Sequence, residues 1–389
     1  MKTSWALFLA LTAVVLSQNS FADFDSKPIS LNPAPPLPQD QALDRVLARY
    51  MKKHSLSGVL KVVTPQFTFL RQLGVANDET AVTNTEDTPF IIASVSKQWV
   101  ASGILKLEQD KKLDSNDFIS RFFPEYPVQY LTGKNGEQVR IVDLLHHTSG
   151  LFEAYDDDKL DNRVLKEPLT IRDILAVLTT HQLSKDPGDE FHYSDSGYDL
   201  LAAIISRVSH LSYSHFMDQT FFFPLHLTHT HAGYSSTLEP IMARSYKSAR
   251  RGKPRVDVLK KAGQSLIYNT EDLAAGNIVS SARDMTTWLR SLSHSQILSA
   301  ESLKRLWTPS DVEPYACGWN VEDQGEESPV YWHVGGWVGY NSLAAVSPSD
   351  DTSFVWLGNE EMPEGMQDHF FDDLLRAVWP GRHFFHDAK

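Results

Sequence analysis

Strand-like patterns occupy both ends of this chain and enclose a long helical middle. Near the start, the apolar runs 59–63 and 67–70 flank the turn Thr64-Pro65-Gln66, an arrangement that is typical of a hairpin. Four more short strand candidates lie between residues 316 and 357, separated by Gly- and Asp-rich turns. From about 115 to 285 the apolar periodicity is mostly helical. The pattern predicts an α+β fold: an antiparallel β-sheet made from both ends, flanked by helices and carrying an inserted, mostly helical lobe.

The domain prediction follows from this order of elements. A chain of 389 residues can bury one large core, and it contains no internal repeat. We predict a single domain over residues 39–385. Its sheet lobe would comprise about 39–114 and 286–385, and its helical lobe about 115–285.

The first 38 residues indicate export. Lys2 precedes an apolar run from Trp5 to Leu16, and Ser20-Phe21-Ala22 has the small residues of a cleavage site. We predict a signal peptide over 1–22, cleaved after Ala22, and a Pro-rich linker over 23–38. A membrane anchor is the alternative, but the apolar run is shorter than the ~20 residues that span a bilayer. The expected destination is the bacterial periplasm, with no membrane span in the mature chain.

Composition excludes several classes of partner. The single cysteine, Cys317, cannot form an intramolecular disulfide, so the fold must depend on its core. A hydrophobic fraction of 42% is typical of a globular protein. The net charge of −13 disfavours nucleic acid and anionic membrane surfaces as partners. No pattern bears on the oligomeric state.

One short segment combines a hydroxyl with an ammonium group. The stretch FIIASVSKQWVASG, residues 90–103, contains the only S-x-x-K of the chain, and apolar residues follow it at helical spacing. Ser94 is therefore predicted in the first turn of a helix, with the Lys97 side chain on the same face. A serine needs a neighbouring base to act as a nucleophile, and free backbone N–H groups at a helix start can stabilise an oxyanion. Ser94 is thus a candidate nucleophile.

Three further segments extend this motif into a family pattern. Together with Ser94-Val95-Ser96-Lys97 they resemble the serine β-lactamase and penicillin-binding-protein superfamily, in particular the class C β-lactamase-related branch with its D-Ala-D-Ala carboxypeptidases and esterases. Residues 187–195, PGDEFHYSD, are similar to the branch's P-G-x-x-F-x-Y-S-N segment. Residues 332–336, WHVGG, resemble its third motif, K-T-G or H-x-G. Residues 144–151, LLHHTSGL, resemble another family segment, to which we assign no catalytic role.

The resemblance implies a β-lactamase-like catalytic domain without metal or cofactor. It assigns roles to nucleophile, proton-transfer, oxyanion-binding and substrate-binding positions: Ser94 as nucleophile, Lys97 and Tyr193 as proton-transfer pair, the N–H groups of Ser94 and Gly336 as oxyanion hole, and Asp195, His333 and Gly335 as substrate contacts. The implied activity is hydrolysis of a small-molecule or peptide ester or amide through an acyl-enzyme on Ser94. The expected enzyme is a carboxylesterase or a D-amino-acid peptidase.

The effect of Lys97 on the pKa of Tyr193 can be estimated. A phenol with a pKa near 10 must lose about 3 units to act as a base at neutral pH, which requires roughly 4 kcal/mol. A cation about 4 Å away supplies a comparable amount at an effective dielectric constant near 20. We therefore expect Lys97 to lower the pKa of Tyr193, while neutral Lys97 as the base is the alternative, and the two form one coupled pair.

Two positions depart from the family pattern. Asp195 stands where the family usually has Asn, and a carboxylate accepts hydrogen bonds but cannot donate them. We hypothesise that it pairs with Lys97 and keeps that residue cationic. His333 replaces the lysine of lactamases, and a mostly neutral histidine holds a substrate carboxylate less reliably. Both departures favour an esterase or peptidase with weak or no β-lactamase activity.

Three alternatives stay open. The chain could be a catalytically inactive penicillin-binding-protein-like scaffold, or a class C-type β-lactamase. A zinc site could form from His226, His229 and His231 or from the pair His146-His147, but neither has the H-E-x-x-H spacing. An activity that resists chelators and disappears in Ser94→Ala would separate the hydrolase from the scaffold and the metalloenzyme.

Overall fold

The computed structural model describes residues 38–164, 167–234, 237–247, 255–258, 260, 273–323, 325, 328–363 and 365–385. The predicted signal peptide and nearly all of the predicted linker lie outside these residues.

Most helices lie between residues 97 and 307, and one further helix lies at each end of the described chain. Their bounds are α1 Pro38–Met51, α2 Lys97–Gln109, α3 Ile141–Leu145, α4 Asp158–Val164, α5 Ile171–Leu178, α6 Asp195–Ser209, α7 Tyr213–Met217, α8 Ala282–Ser293, α9 Ala300–Trp307 and α10 Met366–Val378. The sequence starts several of them locally. Thr170 and Asp173 form a capping box at the start of α5, and the Ser281 side chain accepts the N–H of Asp284 at the start of α8.

Most of the described strands lie before α2 or after α9, and four short ones, β6 to β9, lie between α7 and α8. Their bounds are β1 Gly58–Val63, β2 Thr68–Leu73, β3 Val75–Asn77, β4 Val82–Thr83, β5 Phe90–Ile91, β6 His231–Ala232, β7 Tyr246–Lys247, β8 Val256–Asp257, β9 Ile278–Ser280, β10 Tyr315–Ala316, β11 Trp319–Glu322, β12 Val330–Trp337, β13 Tyr340–Ser347 and β14 Thr352–Gly358. Seven of them form one sheet in the order β10-β11-β12-β13-β14-β1-β2. All its pairs are antiparallel, and β1 joins β14 from Gly58↔Gly358 to Val63↔Ser353. The prediction of one antiparallel sheet from both ends of the chain is confirmed.

Both faces of this sheet are covered, which explains why β13 and β14 are buried at every position. On one face α1 packs against α10, and Leu43, Phe370 and Trp356 belong to one buried cluster. On the other face α8 crosses β14 and β1, and its Trp288 stacks on Trp99 of α2 at 3.6 Å between ring centroids. Burying aromatic area on this scale is the main stabilising contribution to such a fold.

A second, small sheet brings distant segments to one place. Its order is β5-β9-β6, with Ile91 opposite Val279 and His231 opposite Val279 on the other side. The strand β9 thereby lies beside the residues that follow β5. From Pro38 onward the chain groups into one compact unit, whereas the lobe boundaries given above stay predictions. No helix in the described ranges combines the length and apolar composition needed to cross a bilayer.

Candidate active site

Ser94 lies in a 3-10 turn, Ala93–Ser96, that leads directly into α2. The first N–H groups of such a turn have no partner within it, which leaves the Ser94 N–H available as an oxyanion donor. Strand β9 holds the turn on both sides of Ser94: Ile92 donates its N–H to Ile278 O at 3.0 Å, and Ser96 Oγ accepts the N–H of Ile278 at 3.0 Å. The hydroxyl is therefore presented by a rigid backbone.

Lys97 is fully buried next to this hydroxyl. Its Nζ donates to Ser94 Oγ at 3.3 Å and to Ala275 O at 3.0 Å, and it forms an ion pair with Asp195. Burial lowers the pKa of Lys97, but the Asp195 carboxylate more than offsets this and holds the pKa above its usual value. The hypothesised Lys97–Asp195 pair is present, and it keeps Lys97 cationic.

Tyr193 approaches the same ammonium group, with Lys97 Nζ 4.8 Å from its ring centroid. Desolvation raises the pKa of Tyr193, although the residue is 36% exposed, whereas Lys97 lowers it and the carboxylate of Asp195 raises it again. The pKa therefore stays above its usual value, and the expectation that Lys97 would bring it near neutral pH is wrong. The Asp195 carboxylate offsets the positive charge that would otherwise stabilise a phenolate.

Behind Tyr193 lies a chain of hydrogen bonds that fixes two histidine tautomers. Ser194 N–H donates to His147 Nδ1 at 3.0 Å, so the proton of this neutral ring is on Nε2, which lies 3.2 Å from Tyr315 Oη. The Tyr315 hydroxyl in turn lies 3.1 Å from His333 Nε2, to which it donates. His333 keeps its proton on Nδ1 and donates to Val334 O at 2.6 Å. The order of donors follows from the one backbone N–H at its start.

Both histidines are neutral. Burial and the nearby charge of Lys97 hold the pKa of His147 well below its usual value and lower that of His333 to about 3. The His147 ring lies 4.4 Å from the Tyr193 ring, so the network packs directly behind the phenol. Sequence reasoning missed this role of His147, because the segment 144–151 offered a resemblance but no chemistry.

His333 differs from its predicted placement. Its side chain is 3% exposed, and both ring nitrogens are engaged within the protein by Tyr315 and Val334. It therefore presents no free donor to a substrate, contrary to the interpretation of the sequence, and contributes instead to the support of Tyr193, whose ring centroid is 6.1 Å away.

A cavity of about 220 Å³ opens at Ser94. Its wall is formed by Ile91, Ala93, Ser94, Tyr155, Asp195, Asp199, Tyr234, Leu273, Ala275, Gly276, Asn277, Gly336 and Trp337. Of the predicted residues, Ser94, Asp195 and Gly336 share this wall. Strand β11 pairs with β12 through Val330–Trp332, and within the described ranges the following residues of β12 have no strand partner on that edge. This is the arrangement expected of an oxyanion donor at Gly336 and of a surface for an extended substrate.

The two glycines of β12 have different surroundings. A Cβ added to Gly335 would lie 2.3 Å from Ile92 O and 3.1 Å from Ser94 N, so only glycine permits this strand to approach the nucleophile turn. A Cβ added to Gly336 would meet no atom within 4 Å. Gly335 is therefore required for packing against the turn, and it does not line the cavity where the sequence placed a substrate contact.

Asp199, within α6, is a further cavity residue that the sequence did not reveal. Its Oδ1 accepts the N–H groups of Ala274 and Ala275 at 2.8 and 3.0 Å, and its Oδ2 accepts the Tyr155 hydroxyl at 2.7 Å. Burial raises the pKa of Asp199 to about 7, although these hydrogen bonds act in the opposite direction. Since Ala275 O accepts from Lys97, Asp199 positions the carbonyl that orients the ammonium group. Its spacing of four residues from Asp195 on a predicted helix was the available signal.

The histidines considered for zinc do not gather. Across the described ranges, no three His, Cys, Asp or Glu side chains are placed to hold a metal ion. His229 Nδ1 lies 4.0 Å from Asp284, and His146 Nε2 lies 3.6 Å from Cys317 Sγ.

Comparisons with known proteins agree with this fold. The chain is 27% identical over 318 residues to PbpX of Bacillus subtilis (strain 168), a match that covers 80% of this chain and 73% of PbpX. This chain spans less than two thirds of the length of other curated relatives. Its fold is similar to that of the D-amino acid amidase of Ochrobactrum anthropi SV3, with a TM-score of 0.72, 23% identity, and coverage of 88% of this chain and 98% of the amidase. It is also similar to EstCE1, a hydrolase with promiscuous acyltransferase activity, with a TM-score of 0.69, 19% identity, and coverage of 88% and 98%.

The family model described as Beta-lactamase matches residues 43–377. This range contains the Ser94 turn, the Tyr193 segment and the β12 edge, and it covers most of the chain. With the antiparallel sheet and the site geometry in agreement, the chain belongs to the beta-lactamase family.

Proposed function

We propose that this protein is a serine hydrolase that cleaves esters or amides through an acyl-enzyme on Ser94. The observation that carries the proposal is the contact between Lys97 Nζ and Ser94 Oγ, 3.3 Å long, at the mouth of a cavity bordered by the free edge of β12. A serine, a basic group and backbone donors at one surface are the components that acyl transfer requires.

The proton chemistry starts from an ion pair. At rest Lys97 is an ammonium, Asp195 a carboxylate and Tyr193 a phenol. As the bond between Oγ and the substrate carbonyl carbon forms, Nζ takes the Ser94 proton while one of its own protons moves to the Asp195 carboxylate. Lys97 thereby stays cationic, and the Asp195 carboxylate is the final proton acceptor.

The remaining steps return the site to its starting state. Tyr193 donates its proton to the leaving group and recovers one from Lys97 while the bond from the carbonyl carbon to the leaving group breaks, and Asp195 returns its proton to Lys97. A water molecule then attacks the acyl-enzyme and gives a proton to Nζ, which again passes one of its own to Asp195. The bond from the carbonyl carbon to Oγ breaks as Oγ regains a proton from Lys97, the acid product leaves, and Asp195 returns its proton to Lys97.

The charges of the cavity support substrates without a carboxylate. Asp195 and Asp199 line it, and no lysine or arginine of the described residues does. His333 is neutral and buried, so it cannot attract an anion. Neutral esters and amides therefore fit better than C-terminal peptide carboxylates or β-lactams, because no unpaired positive charge among the described wall residues is available to hold their carboxylates. The charge of the cavity therefore favours an esterase or a D-amino-acid peptidase. Two of the proteins named above, the D-amino acid amidase and the hydrolase EstCE1, support this choice.

The site of action is part of the same proposal. The N-terminal pattern supports export, with the bacterial periplasm as the expected compartment, and a small-molecule or peptide substrate as the partner.

The testing experiment measures acyl-enzyme formation directly. The mature protein is mixed with a short-chain p-nitrophenyl ester, and release of p-nitrophenol is followed before the steady state, beside Ser94→Ala. We expect a burst near one equivalent in the natural protein and none in the variant. Equal, burst-free traces from the two proteins would contradict the proposal and would support the inactive scaffold.

A further inference from the structure

Asn277 has a side chain in the cavity wall whose polar atoms have no partner in the part of the chain that the structure describes. The residue is 5% exposed and lines the cavity together with Ser94 and Gly336. Among the described residues, neither its Oδ1 nor its Nδ2 has a hydrogen-bond partner. A buried carboxamide without partners lowers stability, so such a group in a native protein calls for an explanation.

The backbone is held on both sides of Asn277. Asn277 O accepts the N–H of Gly233 at 3.1 Å, and the next residue, Ile278, bonds to both flanks of the Ser94 turn. Two residues earlier, Ala275 binds Lys97 through its carbonyl and Asp199 through its N–H. The side chain therefore has a fixed origin relative to Ser94, which is what a substrate-positioning group needs.

The two aspartates of the wall cannot replace an amide. Asp195 only accepts hydrogen bonds, and its Oδ1 is engaged by Lys97. Asp199 is saturated by Ala274, Ala275 and Tyr155. A carboxamide carries one acceptor and two donor hydrogens side by side, which matches the C=O and N–H of an amide group in a ligand.

We propose that Asn277 is a specificity-determining residue that binds an amide group on the acyl side of the substrate. The substrate class is then an N-acyl-amino-acyl or peptidyl ester or amide, and simple alkanoyl esters are poorer substrates. This inference rests on the proposed hydrolase function and narrows its substrate. Binding of the amide would satisfy the two unpartnered atoms of Asn277 and would hold the scissile carbonyl next to Ser94.

The test compares two esters of nearly equal shape. The first is the p-nitrophenyl ester of N-acetylalanine, tested as each enantiomer, and the second is p-nitrophenyl 2-methylpentanoate, in which two methylene groups replace the C=O and N–H. The readout is the ratio of kcat/KM for the two esters. We expect the natural protein to prefer one N-acetyl enantiomer, and Asn277→Ala and Asn277→Leu to lower that ratio about tenfold or more.

Two controls separate recognition from structure. Leu273→Ala trims the same wall without removing a polar group, so its ratio should stay within about twofold of the natural value. Asn277→Leu should unfold at a temperature no lower than the natural protein, because its side chain makes no hydrogen bond to the described residues that could be lost. A ratio unchanged in both Asn277 variants, or a large fall in melting temperature with equal loss on both esters, overturns the inference.

A binding measurement keeps the inference separate from the proposed catalysis. Ser94→Ala and Ser94→Ala/Asn277→Leu are titrated with N-acetylalaninamide in a calorimeter. Weaker binding to the double variant, by about tenfold, supports the role of Asn277 even if the natural protein hydrolyses neither ester. Equal affinity of the two proteins overturns it. If turnover does not depend on Ser94 but the double variant still binds N-acetylalaninamide about tenfold more weakly than Ser94→Ala, the proposed hydrolase function is refuted. The inference about Asn277 then stands.

Discussion

At the scale of single residues, Asp195 has the largest effect on the chemistry of the site. Its carboxylate offsets the burial of Lys97 and also cancels much of the influence of Lys97 on Tyr193. A site with an amide at this position would carry one positive charge more, and it would have to lose a proton before it contained a base. The Asp195 side chain is thus both counter-ion and proton acceptor in the proposed mechanism.

Replacing this carboxylate should change the pH dependence of activity. In Asp195→Asn, nothing offsets the burial of Lys97, and the coupled Lys97–Tyr193 pair must release a proton to supply a base. We expect the acid limb of the kcat/KM profile to move to higher pH, with a loss of about tenfold or more at pH 6 and partial recovery at pH 9. The measurement is the pH profile of p-nitrophenyl ester hydrolysis. Asp189→Asn, an exposed aspartate in the same segment, is the matched control, and a superimposable Asp195→Asn profile would refute the role.

Asp199 should make stability depend on pH. Burial raises the pKa of Asp199 to about 7, far above the ordinary value of 3.8. The folded state therefore binds this proton more tightly than the unfolded state. Its contribution to stability is full below about pH 4 and is lost as the pH rises towards 7. Asp199→Asn removes this loss. Relative to the natural protein, the free energy of unfolding of the variant should therefore increase by a few kcal/mol from pH 4.5 to pH 8. Urea denaturation at both pH values measures the difference, and a pH-independent difference would contradict the assignment.

At the scale of secondary-structure elements, the close approach of β12 to the Ser94 turn sets the geometry of the site. Strand β12 leaves β11 after Trp332 and continues beside the turn Ala93–Ser96. The absence of a Cβ at Gly335 makes this approach sterically allowed. The oxyanion donor proposed at Gly336 and the nucleophile at Ser94 are thus brought together by packing between two elements that are more than 230 residues apart in the chain.

A methyl group at Gly335 should disturb this contact. Gly335→Ala places a Cβ against the backbone oxygen of Ile92, which cannot move without shifting Ser94. We expect about 1–3 kcal/mol of destabilisation together with a loss of burst amplitude. Gly336→Ala is the matched control for stability, because its Cβ would meet no atom within 4 Å. Thermal unfolding of the two variants decides, and equal melting temperatures would show that the strand can adjust.

At the scale of the whole molecule, the sheet separates a purely structural face from the catalytic one. The buried cluster of α1, α10 and the outer sheet face contains Leu43, Phe370 and Trp356 and contributes no residue to the cavity wall. The opposite cluster surrounds the nucleophile helix, α2. Stability on the first face and chemistry on the second should therefore respond to different substitutions.

Phe370→Ala tests this separation. The side chain is fully buried against Trp356 and Tyr50, so its removal should cost about 3–5 kcal/mol. The burst amplitude per folded molecule should remain near one equivalent. Phe223→Ala, at a phenylalanine that is 68% exposed, should change stability by no more than about 0.5 kcal/mol. Chemical denaturation and the burst assay measure both quantities, and a lost burst in folded Phe370→Ala would show that the two faces are coupled.

Features that depend on near neighbours in the chain were predictable from the sequence. The hairpin of β1 and β2, the caps of α5 and α8 and the pairing of Ser94 with Lys97 follow from spacings of a few residues. The α+β class followed from where strand and helix periodicities change along the chain. Helix starts and strand alternation are set by local backbone geometry, so they can be predicted without knowledge of the tertiary contacts.

Contacts between distant segments, and the electrostatic effects that burial produces, were decided only by the tertiary structure. His147 and Tyr315 are 168 positions apart, and Ala274 lies 75 positions from Asp199. The pKa of Tyr193 depends on desolvation in the fold and on the carboxylate beside it, so the sequence alone could name Lys97 as its neighbour but not the sign of the net shift. The sequence determined which groups are available for acyl transfer, and the fold decided which of them are paired, which are neutral and which face the cavity, because desolvation and hydrogen bonding are properties of the packed molecule.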